Sequence, residues 1–131
     1  MNRVFLMGDV HGDHRPIRDF VTYMNSTFDK NKWLTKEDTL IILGDFGANY
    51  FLTHRDDEFK EKLGNYNITY FVIRGNHEER PSNCYRQNPE QWHLEQYFCS
   101  DVFVENKYPY IKYAADMPFQ YNIYGHSTLI L

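Results

Sequence analysis

Cysteine is scarce: Cys84 and Cys99 are the only two in 131 residues. They lie far apart, and neither belongs to a CxxC-type pair. A disulfide framework and a thiolate metal cluster therefore do not organise this chain, and both cysteines read as reduced, structural thiols. An excess of positive charge is also missing. The 14 Lys and Arg are outnumbered by 18 Asp and Glu, giving a formal net charge of −4. That balance argues against nonspecific binding to nucleic acid or anionic membranes, while leaving room for a local basic patch. No apolar run approaches membrane-spanning length, and residues 4–7 are too short for a signal-peptide core. A cytoplasmic protein with no membrane partner is expected. There is no GxGxxG and no Walker lysine, so a metal-free nucleotide-binding domain finds no support. Internal repeats, low-complexity tracts and flexible linkers are absent too. One domain over residues 1–131 follows.

What is present is a succession of short apolar runs. Residues 1–7 read as a buried strand. Asp13 then opens a helical pattern in which Ile17, Phe20, Val21, Met24 and Phe28 share one apolar face, with Asp13 as the cap and Pro16 in the first turn. Residues 39–43, "TLIIL", form a second strand, continuous in its apolarity as a strand covered on both faces should be. A charged, exposed helix carrying Phe59 and Leu63 is expected over 53–63, and a third strand over 68–73. Strand, helix, strand, helix, strand predicts an α/β fold with parallel βαβ units. Residues 81–99 are polar and read as loop, with a helical stretch near 91–98. From Val102 onward the pieces "VFV", "YIKYA", "QYNIY" and "STLIL" are β-rich, and Gly125-His126 reads as a hairpin turn.

Each of the first three strands ends in a polar signature: Gly8-Asp9-Val10-His11-Gly12, Gly44-Asp45-Phe46-Gly47 and Gly75-Asn76-His77-Glu78. Ligand sites in open parallel sheets gather at the carboxyl ends of the strands. Three adjacent strands would thus deliver Asp9, His11, Asp45, Asn76 and His77 into one crevice, with glycines allowing close approach. Carboxylate, imidazole and amide oxygen suit Mn, Fe, Zn, Ni or Mg. One carboxylate can bridge two ions, and two ions about 3.5–4 Å apart can clamp both the attacking and leaving oxygens of a phosphoester.

"GDVHG", "GDF" and "GNHE", in that order after three apolar strands, resemble the motifs of the calcineurin-like metallophosphoesterases. The match covers residues 1–78 well. The tail with "YNIYGHSTLIL" more loosely resembles a β-hairpin of a bacterial and phage branch of that family. The resemblance implies a partial calcineurin-like αββα sandwich, mainly parallel, followed by a β-hairpin region. It implies two divalent cations, with Asp9 and His11 on the first, Asp45 bridging, and Asn76 on the second and on the substrate phosphate. It implies His77 as the acid that protonates the leaving group after a metal-bound hydroxide attacks phosphorus. The substrate would be a phosphoester, with nucleotides among the candidates.

The chain also departs from that family. The chain stops before the later Gly-His and Gly-His-x-His motifs of that family would appear, so the second cation has few ligands and is expected to be held weakly. His126 follows a glycine and is either a turn residue or a ligand. His14 could reach the crevice mouth or be structural, His54 reads as solvated, and His93 as packed in a helix or on the surface. A chain truncated at its C-terminus, a site completed by a second chain or copy, and a short relative with little turnover all fit. The continuation GD-x-x-D-R-G of the protein phosphatases is absent, with Ala48 and Asn49 in place of its acid and arginine. This argues against a protein phosphatase. Arg74 or Arg80 could serve phosphate or be ordinary surface residues, and Glu78 reads as a structural hydrogen-bond partner. The competing function is a non-catalytic metal-binding or protein-interaction module that retains half of a phosphoesterase site.

Overall fold

A computed structural model describes residues 2–75, 78–97, 100–115, 119–123 and 126–130, the last two segments by backbone alone. Asn76, His77 and Cys99 lie outside the described residues, as does Gly125 of the expected hairpin turn.

The fold is mixed α/β. Strands β1 (Val4–Met7), β2 (Thr39–Gly44) and β3 (Thr69–Arg74) alternate with helices α1 (Arg15–Thr27) and α2 (His54–Leu63). Helix α3 (Pro81–Gln87) is followed by β4 (Trp92–Tyr97), β5 (Ser100–Glu105) and β6 (Ile111–Ala114). These six strands form one sheet in the order β1-β2-β3-β6-β5-β4. Strands β1, β2, β3 and β6 run parallel, and β5 and β4 continue the sheet by antiparallel pairing. Strands β7 (Phe119–Ile123) and β8 (His126–Ile130) make a separate antiparallel ribbon, so the expected β-hairpin region is present.

Strand periodicity sorts the core into two layers. Leu40 and Ile42 of β2 and Tyr70 and Val72 of β3 pack with Ile17, Val21 and Met24 of α1 and Phe59 and Leu63 of α2. Their neighbours Ile41 and Phe71 point to the other side and join Val102, Val104 and Ala114. Both faces of β2 and β3 are thus covered, which is why "TLIIL" and "TYFVI" are apolar without alternation. Each fully buried side chain of this kind contributes about 1.5–3 kcal/mol. The register sets Met7 beside Ile42, and Gly44 beside Arg74. The segments after β1, β2 and β3 therefore emerge at one end of the sheet.

Several expectations shift. Helix α1 starts at Arg15 with His14 at the N-cap position, and Asp13 serves its end by accepting the backbone N–H of Arg15 at 3.0 Å. Phe28 falls past the helix and is exposed. Helix α2 is only partly solvated, since Asp56 and Lys60 are buried on it beside Phe59 and Leu63. Most of the described part of the expected loop, residues 81–97, is regular structure. Pro81 starts α3, a short helix that buries only Pro81 and Cys84 and so shows no periodic face. The expected helix near 91–98 is strand β4, whose exposure alternates along Trp92–Tyr97 as it pairs with β5. His93 thus belongs to a strand, where Asn106 and Glu95 take its two ring nitrogens.

Candidate metal centre

The loop after β1 and the loop after β2 are joined along their backbones. The N–H groups of Val10 and His11 both donate to the carbonyl of Asp45, at 3.1 and 3.0 Å, and Gly12 N–H donates to Phe46 at 2.8 Å. The Asp9 carboxylate returns the connection by accepting the N–H of Asp45 at 3.0 Å. Ligand atoms of Asp9, His11 and Asp45 then lie within 4.8 Å of one another, the only such group of three among the described residues. His11 Nε2 stands 3.7 Å from Asp9 Oδ2. Asp9 and His11 are exposed, whereas Asp45 is buried.

Two glycines make room for this grouping. A Cβ on Gly44 would stand 1.9 Å from Asp9 Oδ1, and its φ of +100° favours glycine in any case. A Cβ on Gly75 would stand 2.0 Å from Asp45 Oδ1. His11 itself adopts φ +50°, a left-handed conformation that is uncommon outside glycine and tends to mark functional positions.

The segment after β3 is represented by Gly75 and Glu78. Glu78 is a structural partner, as its setting suggested. Its carboxylate accepts the backbone N–H groups of Phe46 and, at 3.2 Å, Ala48. Burial raises its pKa, and those backbone hydrogen bonds pull the other way. Glu78 thereby fixes the loop that carries Asp45.

The remaining candidates go elsewhere. His14 pairs with the Tyr66 hydroxyl at 3.0 Å, and His54 is an exposed residue at the start of α2. Asn49 is buried, accepting from Lys60 Nζ at 2.8 Å, so it does structural work where protein phosphatases carry an arginine. Arg74 donates to the carbonyl of Gly75 at 3.2 Å, and Arg80 occupies the N-cap position of α3.

A cleft of about 350 Å³ opens over this site, lined by His11, Asp45, Gly47, Tyr50, Phe51 and Glu78. Tyr50 and Phe51 carry no motif, and only their position directly after "GDFGAN" could have drawn attention to them. A carboxylate–imidazole–carboxylate group beside an open cleft can hold a divalent cation and bring a ligand to it. A family model for calcineurin-like phosphoesterases matches residues 2–129, and the chain belongs to that family. Searches of curated proteins and of solved structures found no match. Among the described residues, no helix is long and apolar enough to cross a membrane.

Proposed function

We propose that this protein hydrolyses phosphate mono- or diesters, using divalent cations held by Asp9, His11, Asp45 and Asn76, with His77 as the general acid. The observation that carries the reading is the convergence of Asp9, His11 and Asp45 at the ends of two parallel strands, in a chain of a phosphoesterase family. The donor set fits Mn, Fe, Zn, Ni or Mg, and Gly44 and Gly75 keep clear the space its carboxylates occupy. When bound, such cations supply an activated water as nucleophile and neutralise charge on the phosphoryl oxygens.

The chain's own residues do the rest. Asp9 and His11 would hold one cation, and Asp45 would be available to both positions. Asn76 completes the second position and orients the phosphate. His77 gives its proton to the departing oxygen. Asp45 and Asn76 give the second position fewer ligands than the first, which makes it the weaker; further ligands would come from more of this chain, from a second chain or from a second copy.

Turnover of p-nitrophenyl phosphate and of its bis ester, with added Mn²⁺, tests the reading. Activity is expected in the native protein, falling by about 100-fold or more in Asp45→Asn. Intact metal binding with no turnover in either protein would instead identify a non-catalytic metal-binding module.

A further inference from the structure

The cleft has one wall that the phosphate chemistry does not use. Tyr50 and Phe51 line it opposite no motif of their own, and both rings stay exposed, at 55% and 44%. The rings meet edge to face, with centroids 4.8 Å apart. The Arg55 guanidinium covers Phe51 at 3.8 Å from the ring centroid. The backbone beneath is fixed by Asp56, a buried carboxylate that accepts the N–H groups of Phe51 at 3.2 Å and Leu52 at 2.6 Å. Leu52 takes a left-handed φ of +59° in the process. A buried carboxylate thus fixes the backbone at Phe51 and Leu52, and the two exposed rings line the cleft beside His11 and Asp45.

We infer that Tyr50 and Phe51 form a preset aromatic shelf, which stacks the planar ring of a nucleotide while its phosphate lies at Asp9, His11 and Asp45. With Arg55 over Phe51, Tyr50 is the more open ring and the main stacking surface. The phosphate end of this inference rests on the proposed phosphoesterase site, whereas the shelf itself is defined by the loop. Stacking on one aromatic side chain is sequence-tolerant, so the shelf selects for a nucleobase rather than for a particular base.

The test compares AMP with ribose 5-phosphate on the Mg²⁺-loaded protein, by calorimetry and by saturation-transfer NMR. AMP should bind roughly 5–150-fold more tightly. Saturation should be strongest at the adenine H2 and H8 protons. Both signatures should fade in Tyr50→Leu and weaken in Phe51→Leu, with the affinity ratio moving toward one. Equal affinities in the native protein, a ratio that survives both substitutions, or no transfer to adenine would overturn the shelf. Turnover of p-nitrophenyl phosphate, measured alongside, keeps the two readings apart. Adenine stacking without turnover removes the hydrolase and leaves the shelf, and turnover without base preference does the reverse.

Discussion

Placing one methyl group at Gly75 should disable the site while leaving the fold standing. An alanine Cβ there would lie 2.0 Å from Asp45 Oδ1, 2.6 Å from its backbone nitrogen and 2.8 Å from Cγ. Ordinary contact begins near 3.4 Å. Asp45 must therefore move its carboxylate by more than 1 Å (roughly five times the 0.2 Å tolerance of a metal–ligand bond). Because the backbone nitrogen is also too close, a side-chain rotation alone gives no relief. Disturbing groups that merely support a ligand already costs about 10–100-fold in metal affinity. Gly75→Ala should lose at least that much, with about 1–3 kcal/mol of stability from overpacking. Gly8 supplies the control, since a Cβ there meets nothing within 4 Å. Gly8→Ala should bind metal normally and gain up to about 1 kcal/mol through a less mobile unfolded chain. Calorimetric titration with Mn²⁺ reads the affinity, and thermal unfolding in EDTA reads stability apart from metal. Native metal affinity in Gly75→Ala would refute the reasoning, because the carboxylate would then not need its present position.

Other outcomes follow from groups away from the cleft. Burial alone would raise the pKa of Asp38, but hydrogen bonds from the Arg3 side chain and from the N–H groups of Arg3 and Thr35 bring it below the usual value. Its contribution is complete above an unfolded value of about 3.9 and is lost as pH falls through the lower folded value. Asp38→Asn should therefore flatten the fall in stability below about pH 4 in acid titrations followed by circular dichroism. Lys60 is buried and reaches Glu105 at 2.7 Å and Asn49 at 2.8 Å. Lys60→Ala should cost about 3–5 kcal/mol in urea unfolding, because it leaves a half-buried carboxylate without its partner. Burial lifts the Cys84 thiol to about 11. In a Cys99→Ser background, Cys84 should resist iodoacetamide at pH 8 until the protein is unfolded, and rapid labelling would show that α3 opens readily.

Much of the architecture was readable because its signals are strong and local. "TLIIL" and "TYFVI" are covered on both faces, so their apolarity is continuous, and Ile17, Val21 and Met24 mark one helical face. Strand ends followed by Gly-Asp suffice to bring Asp9, His11 and Asp45 together, since parallel register does the rest. The misreadings occurred where long-range pairing decides. "WHLEQY" has no intrinsic strand pattern of apolar residues and becomes β4 through its partner β5. Buried Lys60 is invisible in a charged helix because its partners, Asn49 and Glu105, lie 11 and 45 residues away. The Tyr50–Phe51 wall escaped notice for a similar reason. Two aromatics in a loop mean little until a buried Asp56 is seen to fix the backbone of Phe51 and Leu52 beside the cleft.

The stitching between the first two site loops has a further consequence. It runs mostly through main-chain amides and carbonyls at Val10, His11, Gly12, Asp45 and Phe46, and only the Asp9 carboxylate among the ion-gripping groups takes part. The part of the socket built by the first two loops is therefore held together by the chain itself, which lowers the ordering cost of filling it. Loss of metal should leave these two loops joined as they are, because none of these backbone bonds involves a cation.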